Sequence, residues 1–149
     1  MDKRLRFPLF IDLEGKKILV VGAGVVGSRR IRELLPFGAR ITVVSKELSS
    51  AVAGAKGQLR SFRRSFCPED LDEQYFFVIA ATDDRAVNQQ IYTLCQARGI
   101  MVNVADDQNL CDFFFPGLVK TEDIVIGVSG NGGDHGAVKK IRERIEKAL

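Results

Sequence analysis

The chain has 149 residues, 46% hydrophobic and 28% charged, with a net charge of +3, which fits one globular domain with a modest appendage. No apolar run approaches the ~20 residues that span a bilayer, and the small, evenly spread positive charge gives no reason to expect nucleic acid. Cys67, Cys95 and Cys111 are odd in number and far apart, and there is one histidine, which argues against a disulfide framework or a structural zinc site and favours a reducing cytoplasm.

The N-terminal residues carry positive charge, but their apolar stretch is too short for a signal peptide. Lys16 and Lys17 lead into Ile18–Val21, an apolar run that predicts a strand buried on both faces. Gly22, Gly24 and Gly27 then form Gly-x-Gly-x-x-Gly, and Ser28 to Leu35 continues with helical spacing. Strand, turn and helix in this order predict a dinucleotide-binding turn, the alternative being a plain strand-to-helix turn. Its glycines allow a tight bend, close approach of a pyrophosphate and close packing of helix on strand. The helix start offers free N–H groups and the positive end of its dipole to the phosphates. Gly22, Ala23, Gly24, Val25, Val26 and Gly27 are therefore the first candidate cofactor residues.

Gly38 is a plausible helix stop, and Arg40–Ser45 reads as the second strand. Ser49 to Lys56 predicts a short helix or a loop, Leu59 to Phe66 a weak strand with interleaved arginines, and Pro68–Leu71 a turn. Tyr75 to Ala81 predicts a strong buried strand ending in Thr82-Asp83-Asp84. Val87, Ile91, Leu94 and Cys95 recur at helical spacing until Gly99, and Ile100 to Ala105 is the next strand. Strands alternating with helices imply an α/β fold: a Rossmann-type, doubly wound parallel sheet over residues 1–112, with ligands at the carboxyl ends of its strands.

From residue 113 the pattern changes. Phe113–Pro116 and Ile124–Val128 are strand-like, and a helix from about Gly136 carries Val138, Ile141, Ile145 and Leu149 on one face and charge on the other. Residues 113–149 are too few for a core of their own, so their apolar strands must pack on the first domain or on a second subunit.

Several segments together resemble precorrin-2 dehydrogenases, the NAD-dependent module of siroheme synthases. They are Phe7–Phe10, Val21–Gly27, Gly38–Val44, Ala80-Ala-Thr-Asp-Asp84 with Asn88, Asn103-Val-Ala-Asp106, and Val128-Ser129 before a basic helix. The resemblance implies oxidation of the tetrapyrrole precorrin-2 to sirohydrochlorin with NAD as hydride acceptor, and a homodimer built through the segment after residue 112. It also implies that some members chelate iron at the same site. Relatives usually continue with a helical domain, whereas this sequence ends at Leu149, and it departs from the family's turn at Ser129–His135. Alternatives are a non-catalytic NAD-binding dimer, or a fragment whose missing part completes the enzyme.

Asp106, at the end of a strand, is the expected general base, because hydride loss must be matched by proton loss. The competing reading is a turn cap among Asp106, Asp107 and Asn109. Ser45, Lys46 and Glu47 follow the second strand, where an acid usually meets the adenosine ribose. Ser45 stands at the first of these positions, so the usual carboxylate is absent or delayed to Glu47, and Lys46 could tolerate a 2′-phosphate. The choice of NAD comes from the resemblance. Thr82 and Asp83 are expected either to contact the cofactor or to cap the following helix. Arg29, Arg30, Arg32 and the basic residues of the last helix read as solvated faces. His135 is expected in a glycine-rich turn without a catalytic role, and no metal ligand is expected.

Overall fold

Strand β1 (Lys17–Val21) sits where an unbroken apolar run requires cover on both faces, and the side chains of Ile18 to Val21 are all buried. Burying each is worth about 1.5–3 kcal/mol. The structure is a computed structural model and describes residues 4–55 and 57–149; Lys56, at the end of the expected 49–56 segment, lies outside them. Strands β2 (Arg40–Ser45), β3 (Leu59–Arg63), β4 (Phe77–Ala80) and β5 (Met101–Val104) complete a sheet of order β3-β2-β1-β4-β5 in which every pairing is parallel.

Helices α1 (Val25–Leu34), the short α2 (Ser50–Ala53) and α3 (Arg85–Arg98) connect these strands. From β1 the chain steps outward to β2, and from β4 it steps outward to β5 in the opposite direction. Right-handed crossovers therefore place α1 and α3 on opposite faces. Alternation along the strands divides the core accordingly. Leu19, Val21, Val44, Val78, Ala80, Val102 and Val104 pack with Ile91 and Cys95 of α3. Ile18, Val20, Ile41, Val43 and Ile79, of opposite parity, are buried on the other face, where α1 supplies Ile31 and Leu34. The direction of winding reverses between β1 and β4, and a crevice opens there at the carboxyl ends of the strands.

Two compact units make up the described chain. Asp12–Phe113 forms the Rossmann-type unit, and residues 4–11 cluster with Phe114–Leu149 in the second. Residues 4–11, including Phe7–Phe10, thus group with the tail and not with the first domain expected over residues 1–112. In the second unit, β6 (Gly117–Lys120) and β7 (Val125–Val128) form an antiparallel hairpin, and α4 (His135–Ala148) lays Val138 and Arg142 beside Gly117. Asp134 caps α4 by accepting the Ala137 N–H at 3.0 Å.

Three expectations need correction. Phe113–Pro116 forms no strand. The Phe113 carbonyl accepts the Asn103 Nδ2–H at 2.9 Å and its ring lies 4.5 Å from that of Phe77, while Pro116 has no N–H to give a ladder. The hairpin begins only after the proline. The third strand stops at Arg63 rather than Phe66, because Arg64 turns to Asp70. His135 is the first residue of α4, not part of the preceding turn.

Candidate functional site: a cleft at the strand ends

A cleft of about 540 Å3 opens at the carboxyl edge of β1, β2 and β4. Gly22–Val26 form one wall, Ala81–Asp84 another, and Val44–Glu47 with Arg64–Phe66 the far end. Of the sequence candidates, Gly22, Ala23, Gly24, Val25, Val26, Ser45, Lys46, Glu47, Thr82 and Asp83 all line it. Gly27 lies beneath. A Cβ there would run into the Gly22 carbonyl, so Gly27 serves packing of α1 on the turn.

Gly22 has φ +98°, a backbone that side chains rarely adopt, and a Cβ would also overlap the Ala81 carbonyl. Gly24 is different. Nothing lies within 4 Å of where its Cβ would stand, so the open space belongs to the cleft. Gly24 is also the N-cap of α1, and among the described residues no side chain caps that helix. The first-turn N–H groups thus have no side-chain partner and face a cradle large enough for a pyrophosphate. The residues present fit a dinucleotide.

The loop after β2 is braced through Ser45. Its Oγ accepts the Ala23 N–H at 3.1 Å and donates to the Glu47 carbonyl at 2.7 Å. The hydroxyl that replaces the usual acid is therefore committed to shaping the loop, and Lys46 and Glu47 line the cleft beyond it. Ser28 Oγ donates to the Ala23 carbonyl at 2.9 Å and fixes the glycine turn from the helix side.

At the β4–α3 turn, the helix cap is Asp84 rather than Thr82 or Asp83. Its Oδ1 accepts the Ala86 N–H at 2.9 Å and the Val87 N–H at 3.4 Å. The Thr82 hydroxyl lies 2.6 Å from Asn88 Oδ1 and 3.0 Å from the Asp84 carbonyl, so its one hydrogen is used internally.

Asp106 follows β5 at the same sheet edge. Its carboxylate stands 3.6 Å from the Arg85 Nε, at the first residue of α3. The capping job expected in this loop falls to Asp107, which accepts the Asn109 N–H at 3.0 Å. Asp106 is not among the residues that line the cleft. Arg64, Ser65 and Phe66 also line the cleft; their sequence pattern predicts strand, but β3 stops at Arg63 and ligands sit beyond strand ends. Arg64 donates to Asp70 at 2.9 Å. Burial pushes the Asp70 carboxyl up, but the bonds from Arg64 and the Cys67 N–H outweigh it and hold the group below the usual carboxylate range.

Residues 9–117 match the profile of a family described as NAD(P)-binding. Among curated relatives, the chain is 42% identical over 144 residues to the "Probable multifunctional siroheme biosynthesis protein HemA" of Ruminiclostridium josui, covering 95% of this chain and 28% of that one. It is 38% identical to siroheme synthase 1 of Serratia proteamaculans, covering 95% and 30%. The chain therefore spans less than a third of the length of these curated relatives. Among solved structures, it superimposes on SirC, a precorrin-2 dehydrogenase, with a TM-score of 0.82 and 32% identity, covering 97% of this chain and 71% of that one. The five-stranded parallel sheet and the appended hairpin and helix are shared architecture, and the chain belongs to the NAD(P)-binding family that includes the precorrin-2 dehydrogenase SirC.

Proposed function

We propose that this chain is an NAD-dependent oxidoreductase that converts precorrin-2 to sirohydrochlorin, with Asp106 as general base, in the cytoplasm and as a homodimer. The observation that carries the reading is the uncapped start of α1 above an open Gly24, in a chain related along nearly its whole length to a dehydrogenase of that substrate. NAD, when bound, supplies the hydride acceptor.

The chain's residues divide the remaining work. The N–H groups that open α1 would hold the pyrophosphate, and Lys46 and Glu47 would meet the adenosine ribose. Thr82 and Asp83 form the wall opposite the glycine turn. Dehydrogenation removes a hydride and a proton, so a ring C–H or N–H proton must leave the substrate as well. The Asp106 carboxylate accepts that proton, so the substrate gives up two electrons and two hydrogens in total. The Arg85 Nε, 3.6 Å away, pairs with that carboxylate. Anaerobic incubation with precorrin-2 tests the proposal by absorbance. Conversion to sirohydrochlorin only when NAD is added is the expected result; a chain that leaves precorrin-2 unchanged would refute it.

A further inference from the structure

We infer that Asn88 is a positioning residue for the dinucleotide cleft, acting through Thr82 from inside the domain to fix how far the β4–α3 turn stands from the glycine turn. The inference rests on the cofactor reading of that cleft.

Asn88 lies one turn into α3 and is 1% exposed. A buried carboxamide must satisfy an acceptor and a donor group, and this one spends both on a single residue. Asn88 Oδ1 accepts the Thr82 N–H at 3.1 Å and the Thr82 hydroxyl at 2.6 Å. Asn88 Nδ2 donates to the Thr82 carbonyl at 3.1 Å. Thr82 stands two residues beyond the end of β4, where the parallel ladder no longer supplies partners, so the side chain of Asn88 replaces the sheet. Asp84 closes the loop: its N–H donates to Thr82 Oγ1 at 3.2 Å, and its carbonyl accepts the Asn88 N–H at 3.1 Å.

The consequence for the cleft comes through Gly22. The Ala81–Thr82 peptide packs so closely on Gly22 that a Cβ there would overlap the Ala81 carbonyl and the Thr82 nitrogen. The two walls of the cleft therefore touch at this point, and Asn88 holds one of them. Only asparagine offers acceptor and donor at this reach. Aspartate has the same shape but sets an anion against the Thr82 carbonyl, which loses its donor.

The test compares Asn88→Asp, Thr82→Val and Thr82→Ser with the parent chain, measuring NAD affinity by calorimetry, NAD KM, kcat and Tm. Asn88→Asp and Thr82→Val should weaken NAD binding about tenfold or more and raise the NAD KM in step, and Asn88→Asp should leave kcat at saturating NAD unchanged. Thr82→Ser keeps the hydroxyl and should retain NAD affinity. A lowered Tm with unchanged NAD affinity in both weakened variants would overturn the inference and make Asn88 a structural residue only. If Asn88→Asp does not fold, the Thr82 pair decides alone: equal affinity in Thr82→Val and Thr82→Ser overturns it. A parent chain that binds NAD without dehydrogenating precorrin-2 would sink the function proposed above while leaving this inference standing on the calorimetry; one that binds no NAD would end both.

Discussion

At the residue scale, the cleft separates glycines by what they do. Gly24→Val places its side chain in open space at an ordinary φ of −77°, so the fold should persist while the pyrophosphate is blocked. Calorimetry should find NAD binding lost with Tm unchanged; normal binding would move the cofactor elsewhere. Gly27→Val should do the opposite and destabilise the domain by about 1–3 kcal/mol, because its Cβ meets the Gly22 carbonyl. Asp106→Asn should retain NAD affinity but lose turnover by roughly a hundredfold or more, while Asp107→Asn, which removes only a turn cap, should lose much less. Asp70 predicts a pH effect. Its folded pKa lies below the unfolded one, so its contribution is present above the unfolded value and lost as pH falls through the folded value. Urea unfolding should show Asp70→Asn destabilised at neutral pH, with the gap to the parent closing in acid. A gap that stays constant would contradict the Arg64–Asp70 account. The glycine turn was legible because phosphate binding constrains residue type at fixed spacing. The jobs of Ser45, Asn88 and Arg64 were not, because each depends on a partner 6 to 22 positions away.

At the element scale, periodicity and punctuation placed every strand of the parallel sheet. Arg40–Ser45 ends where β2 ends, and Gly99, at φ +68°, stops α3 as its sequence position implied. Buried runs and helix stops leave such marks because they act locally. Phe113–Pro116 shows the limit: three phenylalanines look like a strand, but a side-chain bond from Asn103 and an aromatic contact with Phe77 set that segment, and neither is visible in its own residues. The helix caps give a measurable consequence. Asp84→Ala removes acceptors for two N–H groups of α3 and should cost ~1 kcal/mol in urea unfolding. Asp83→Ala, which caps nothing among the described residues, should cost little; equal losses would take the cap from Asp84.

At the scale of the whole molecule, the second unit is poor in buried surface. Between residues 114 and 149 only Val119 is fully buried, and Ile124, Ile141 and Leu149 are exposed, as are Leu5, Phe7, Leu9 and Phe10 of the N-terminal arm. So much exposed apolar surface calls for a partner, and a two-fold copy of the chain would cover it. Light scattering at micromolar concentration should report about twice the 16.5 kDa chain mass; a soluble monomer there would remove the dimer from the proposal. The central claim is that the cleft and Asp106 work together to move a hydride and a proton. The most direct test is an anaerobic single turnover with limiting precorrin-2, in which NADH and sirohydrochlorin are both quantified. NADH should form in an amount equal to sirohydrochlorin with the parent chain, and both should slow together in Asp106→Asn. Sirohydrochlorin without matching NADH, or an undiminished rate in Asp106→Asn, would contradict the account.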